Sequence, residues 1–167
     1  MQNTIVQFLQ NVPAGTERRV LQTLFQAFAR LSSCVALATA GLVIKAGGGV
    51  LAKVGSTAFY ATVNGVTVTL AGSTDMPSLV GYNITAAKFN VICFFIDNAA
   101  AVTVLMGAEG ATAAAVKWPD FPSNKALVGV LLVTHSSAFT GGTTALDTAT
   151  TVYLSPVGAF DPSLLFS

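Results

Sequence analysis

Charge is what this chain has least of. Of 167 residues only 9% are Asp, Glu, Lys or Arg, against about 25% in ordinary soluble domains. Eight basic and seven acidic residues leave a formal net charge of +1. Recognition of nucleic acid calls for a basic patch or stripe; with no such excess, nucleic acid is not an expected partner. Histidine is nearly absent too: His135 stands alone, with Cys34 and Cys93 far apart in sequence, which is not the spacing of a zinc centre. No acidic run resembles a calcium loop. Long apolar runs are also missing. A spanning helix needs about 20 consecutive apolar residues, whereas the longest candidate, Leu31 to Ile44, lies between Arg30 and Lys45 and contains Ser32, Ser33, Thr39 and Gly41. The strands do not show the apolar-out, polar-in alternation of a membrane barrel. The first charged residue is Glu17, so the positive n-region of a secretory leader is lacking. Neither a membrane nor a metal or other cofactor is expected.

What the chain has instead is apolar surface: 53% of its residues are hydrophobic. With so little charge to keep copies apart, that surface calls for burial against a permanent partner. The stretch Phe89 to Met106 is central. Its first half is rich in β-branched and aromatic residues up to the turn at Asp97-Asn98, and Ala101 to Met106 reads as the return strand of a hairpin. Side chains of a strand alternate between faces. Phe89, Val91, Cys93 and Phe95 form one face; Asn90, Ile92, Phe94 and Ile96 form the other. Both are apolar, so both need a cover. An opposing sheet is expected over one, and over the other a helix of this chain or a neighbouring copy. Ala126 to Thr134 is a second strand of the same kind.

Elsewhere the pattern is of short strands. Cys34 to Lys45, Val50 to Val54, Thr57 to Val63 and Val66 to Leu70 are β-like, and Asn64-Gly65 predicts a type I′ hairpin turn. Val66 to Leu70 alternates, giving an outer strand with a threonine face. Thr151 to Ser155 is the last strand. Gly107 to Lys125, which includes Trp118-Pro119-Asp120-Phe121-Pro122, reads as a fixed extended loop. The expected fold is mainly β: an antiparallel β-sandwich or jelly-roll-like domain over residues 34–167, preceded in residues 1–33 by an N-terminal arm and one α-helix. The helix spans Thr16 to Ser32, with Thr16 as N-cap and Glu17 at the positive end of its dipole. Its apolar face packs either on its own sheet or in a bundle of copies. Ile5, Phe8 and Leu9 of the arm, Leu21, Leu24, Phe25 and Phe28 of the helix, and Leu164, Leu165 and Phe166 of the tail are the candidate contacts to other subunits or partners.

Chemistry is poorly supplied. His135 has Ser136 and Ser137 beside it, but no G-x-S-x-G elbow is present, and His135 reads as a strand-end residue. Gly47-Gly48-Gly49 lacks the GK[ST] ending of a phosphate loop and reads as a turn. Trp118 and Phe121 are placed either to stack on a sugar or to plug the sandwich. Cys93 reads as a buried free thiol; a Cys34–Cys93 disulfide depends on geometry that sequence does not give. No catalytic residue is expected.

The C-terminal third carries a resemblance. Phe139 to Asp147 (FTGGTTALD), then Val152-Tyr153 and Gly158-Ala159-Phe160-Asp161-Pro162, resemble a family of small tailed-bacteriophage virion proteins, as do Ala40 to Gly47, Phe121-Pro122 and Lys125 to Gly129. The order of these motifs is a stronger signal than any one of them. The resemblance implies a head decoration, or cement, protein: a β-sandwich on the outer surface of an icosahedral capsid, commonly a homotrimer. Its partners would be the major capsid protein and itself. It would be made in the cytoplasm of the bacterial host. It implies no catalytic residues. Two other readings differ in what they require: a head- or tail-fibre module binding host glycan would expose Trp118 and Phe121, and a small hydrolase would depend on His135.

Overall fold

The computed structural model describes residues 34–158 and, before them, Leu21 alone, which is helical and half-buried. The fold is an antiparallel β-sandwich. Its first sheet holds β1 (Cys34–Ala36), β4 (Phe59–Val63) and β5 (Val66–Leu70) in the order β1-β4-β5. Its second sheet holds β7 (Phe89–Ile96), β8 (Val102–Met106), β9 (Ala126–Thr134) and β11 (Thr150–Leu154) in the order β11-β9-β7-β8. Two short pairs complete the chain: β2 (Val43–Ile44) with β3 (Ala52–Lys53), and β6 (Asn83–Ile84) with β10 (Phe139–Thr140). The apolar run expected from Cys34 to Lys45 is therefore split: Gly41, at a φ of 53°, lies in the break between β1 and β2.

Local chemistry explains the hairpins. Asn64 and Gly65 have φ of 52° and 80°, the positive values that a type I′ turn requires, and they join β4 to β5 with Val63 paired to Val66. The β7–β8 turn is held by Asp97, whose Oδ1 accepts the N–H groups of Ala99 (2.9 Å) and Ala101 (3.0 Å). Asx turns of this kind give the backbone a local partner where the ladder ends.

The main core lies between the sheets. Ile92, Phe94 and Ile96 of β7 and Val128, Leu131 and Val133 of β9 meet Phe59, Ala61 and Val63 of β4 and Val68 and Leu70 of β5. β9 is apolar on both faces, and a bulge sets its register against β7: Phe94 pairs with Gly129 but Phe95 pairs with Leu127, leaving Val128 as the extra residue. A bulge of this kind moves the side-chain alternation by one step. Leu127 is thus placed in the cluster on the far face with Val130 and Leu132, while Val128 stays in the main core. Gly129 is needed at this point. A Cβ there would stand 2.5 Å from Leu42 Cδ1 and 2.8 Å from the Leu154 carbonyl oxygen. Leu42 could rotate away, but the Leu154 backbone belongs to the neighbouring strand. Gly129→Ala is expected to destabilise the fold by about 1–3 kcal/mol, the usual cost of overpacking, as a lowered urea midpoint with unchanged slope; an unchanged midpoint would show that β11 yields freely.

Candidate interaction surface

The far face of β7 is covered from within the chain. Val91, Cys93 and Phe95 form a second cluster with Leu127, Val130, Leu132 and Val116, against which Trp118, Phe121, Ala113, Leu105 and Leu154 pack. Most of that cover comes from the loop of residues 107–125, which contains a 3₁₀ turn at Ala113–Ala115. Phe121 meets Phe95 edge to face, ring centroids 5.1 Å apart, and Trp118 meets Phe121 in the same way at 6.2 Å. The expected cover was the Thr16–Ser32 helix or a neighbouring copy. The loop lacks the periodicity that would have marked it as a structural layer.

Backbone pairing fixes this loop to the sheet. Phe89 and Gly110 exchange both N–H···O bonds at 2.9 Å, Gly107 N–H donates to the Val91 carbonyl at 2.9 Å, and Ala108 pairs with Lys117 in both directions. Asn90, the only buried polar or charged residue among those described, secures the junction. Its Nδ2 donates to the Gly107 carbonyl (3.1 Å), and its Oδ1 accepts the Val91 N–H (2.8 Å). A buried amide with both ends partnered avoids the penalty of an unsatisfied polar group.

Cys93 carries a free thiol. Cys93 lies in the second cluster, and burial pushes its thiol up from 9.0 to about 12. A thiol so protonated is a packing residue and not a nucleophile. The Cys34 sulfur lies 3.5 Å from the Ser123 carbonyl oxygen and 3.6 Å from Asn64 Oδ1.

His135 follows the last residue of β9, as expected of a strand-end residue. The structure does bring a serine to it: Ser137 Oγ is 2.8 Å from Nδ1, and the Ser137 N–H donates to Nδ1 at 3.2 Å. Both contacts fall within one turn of three residues. Among the described residues no carboxylate hydrogen-bonds the ring, so the third member that would orient a catalytic histidine is not among them. Nor, among the described residues, is there a group of three or more His, Cys, Asp or Glu able to hold a metal ion. Gly47-Gly48-Gly49 is a turn: Gly49 N–H closes on the Ala46 carbonyl, and Gly48 N–H is held by Asp147 Oδ2 at 2.6 Å. No helix of the described residues is long and apolar enough to cross a membrane.

The distinctive surface is the outer face of the first sheet. Gly158 forms an antiparallel bridge with Ala36 and donates its N–H to the Ala36 carbonyl at 2.9 Å. That bridge places Val157 opposite Leu37 on one face, and Leu37 in turn lies beside Tyr60, whose carbonyl accepts the Leu37 N–H at 2.8 Å. Val157 and Leu37 are each 54% exposed and Tyr60 is 44% exposed. They form an apolar row across three adjacent strands, about 10 Å long at the usual strand spacing. Thr69 continues the row on β5, and Val35, Thr62 and Thr67 form the row beside it. None of these side chains carries a charge. At the same corner Cys34 opens β1 and Gly158 bridges its third residue.

Of the candidate contacts, Leu21 is described as helical and half-buried. Ile5, Phe8, Leu9, Leu24, Phe25, Phe28, Leu164, Leu165 and Phe166 lie outside the described residues. The row of Val157, Leu37 and Tyr60 was not expected. The exposed alternate positions of two strands were readable, but their alignment depends on the Ala36–Gly158 bridge, which joins distant parts of the chain.

Two substitutions test this part of the structure. Asn90→Ala leaves the Gly107 carbonyl unpaired and is expected to cost about 1–3 kcal/mol, with altered emission from Trp118, the sole tryptophan; native stability and emission would show that Asn90 does not fix the loop. The Cys93 thiol favours the folded state only while protonated. Its contribution is full below pH 9 and is lost as pH rises toward about 12, because the unfolded chain then releases a proton that the folded chain keeps. Stability should fall over that window by roughly 1–1.5 kcal/mol per pH unit from this group, and Cys93→Val should remove that component of the slope. Equal slopes in the two proteins would contradict the assignment.

Compared with known protein families, with characterised proteins and with solved structures, the chain shows no match.

Proposed function

We propose that this protein is a structural component of a tailed-bacteriophage virion, a cement or decoration protein that binds the outside of the capsid and stabilises it by bridging capsomers. Its partners are the major capsid protein and further copies of itself, most simply as a homotrimer. It is made in the host cytoplasm and acts on the virion surface without catalysis. The observation that carries this reading is the corner of the first sheet. The candidate contacts all lie in residues 1–33 and 159–167 of the sequence, and the residues next to these segments, Cys34 and Gly158, are brought to one corner by the Ala36–Gly158 bridge. An uncharged apolar row of Val157, Leu37 and Tyr60 lies alongside.

The physical logic is that of linkage. A protein that binds the assembled shell and not its separated parts stabilises assembly in proportion to the affinity of the bound state. Such a protein needs a rigid body, low charge and segments that can reach neighbours. The sandwich supplies the body, and the charge is 9% of residues. The virion-protein resemblance of the motifs from Ala40 to Pro162 points the same way. Trp118 and Phe121 are half-buried against Phe95, which weighs against a glycan-stacking platform. The His135–Ser137 contact, with no carboxylate bonded to the ring among the described residues, weighs against a hydrolase.

The test uses shells of the phage that encodes the protein. Full-length chain should bind stripped shells and raise their resistance to heat. Deleting residues 1–15 or residues 164–166 should weaken binding on the order of tenfold or more, about 1.4 kcal/mol or more, while the melting of the sandwich stays as in the full chain. A protein that binds no shell, or binds equally well after both deletions, would contradict the reading.

A further inference from the structure

Sheets end in edges, and an edge strand presents unpaired N–H and C=O groups that another chain can use. The two main sheets here have four such edges, and three of them are occupied or obstructed. β1 is bridged by Gly158. β8 is crossed by Tyr82, whose Oη donates to the Val104 carbonyl at 3.0 Å, and by Lys125, whose Nζ reaches Thr103 Oγ1 at 3.0 Å. β11 has the preceding turn folded back on it, with Thr151 Oγ1 donating to the Leu146 carbonyl at 3.0 Å. β5 has no comparable cover: among the described residues none hydrogen-bonds to the outer edge of Val66–Leu70.

Which groups β5 offers follows from its turn. In a two-residue hairpin the flanking residues, Val63 and Val66, form a hydrogen-bonded pair, and bonded and non-bonded pairs alternate from there. Val68 with Ala61 and Leu70 with Phe59 are therefore bonded to β4, while Thr67 opposite Thr62 and Thr69 opposite Tyr60 are not. The direction of Tyr60 agrees, since its carbonyl serves Leu37 of β1 on the other side. The backbone N–H and C=O of both Thr67 and Thr69 thus point away from the sheet.

We propose that β5 is a self-association edge, at which a second copy of this chain adds its own β5 antiparallel about a two-fold axis through Val68. The register makes the second copy the fitting occupant. Centred on Val68, Thr67 of one copy faces Thr69 of the other, and the outward groups of these residues form hydrogen-bonded pairs. Val68 meets its own counterpart on the core side, and the threonines meet on the outer side, so both faces continue across the seam. Three strands from each copy then form one continuous sheet. Charge also permits it. No residue from Val54 to Thr74 is charged, so two copies meet at this edge without like-charge repulsion. β5 carries none of the Lys, Pro or bulge devices that keep edges apart. The contact is closed and two-fold. It would join pairs of whatever ring the chain forms, and it does not depend on capsid binding.

Sedimentation of the full-length chain over a range of concentrations tests this. Thr67→Pro removes an outward N–H and no bond to β4, and should halve the mass of the wild-type species while the far-UV spectrum is kept. A charge pattern then checks the register. Thr67→Lys with Thr69→Lys places lysine opposite lysine across the seam and should weaken pairing at least tenfold at low salt. Thr67→Lys with Thr69→Glu places each lysine opposite a glutamate and should restore it. Equal masses for the wild type and Thr67→Pro would overturn the proposal, as would identical behaviour of the two charge variants. The charge pair decides the matter if the proline variant fails to fold. Shell binding is not read in any of these measurements, so the cement reading stands or falls separately.

Discussion

The structure depends on burying both faces of β7. A strand such as Phe89–Ile96 has no polar side to give to water. On the far face alone, Val91, Phe95, Val130 and Leu132 are all buried. At about 1.5–3 kcal/mol for each large side chain, leaving them exposed would forfeit on the order of 10 kcal/mol, comparable with the whole net stability of a typical domain. The opposing sheet cannot cover both sides, so a third layer is required. Residues 107–125 provide it, and several local features serve that end. Asn90 fastens the start of the loop, the bulge keeps Leu127 on the correct face, and Gly129 allows β9 to lie close to β11 and Leu42.

How much of this could be read from sequence follows from the range of the interactions. Elements fixed by neighbouring residues were legible: the Asn64-Gly65 hairpin, the threonine face of Val66–Leu70, the β7–β8 hairpin with its Asp97 turn, and the two-sided burial of β7 and β9. Elements that depend on distant pairing were not. The β6–β10 pair joins Asn83 and Ile84 to Thr140 and Phe139, two-residue strands too short to carry a period of their own. The identity of the cover over β7 was missed for the same reason, since Val116, Trp118 and Phe121 follow no strand or helix period. The sequence pattern showed that a cover was necessary without showing which segment supplies it. The candidate surface was half legible: the arm, helix and tail stand out by their apolar residues, whereas the row of Val157, Leu37 and Tyr60 exists only through the Ala36–Gly158 bridge.

That internal cover changes how the low charge is explained. With β7 satisfied inside one chain, a partner is not needed to complete the core. Uncharged surface remains on the first sheet, in the row of Val157, Leu37 and Tyr60 and along β5. The proposed function accordingly rests on the periphery of the sandwich and not on its core. The buried Cys93 packs in the second cluster, and Gly48 is tied to Asp147.

Hydrogen exchange of the β7 and β9 amides in the full-length chain, followed as the protein is diluted through any oligomer dissociation, tests the central claim most directly. A cover supplied by residues 107–125 predicts slow exchange of Val91 to Ile96 at every concentration, since exchange from a core strand requires global opening. Loss of that protection on dilution would contradict the account and assign the far face of β7 to a neighbouring subunit.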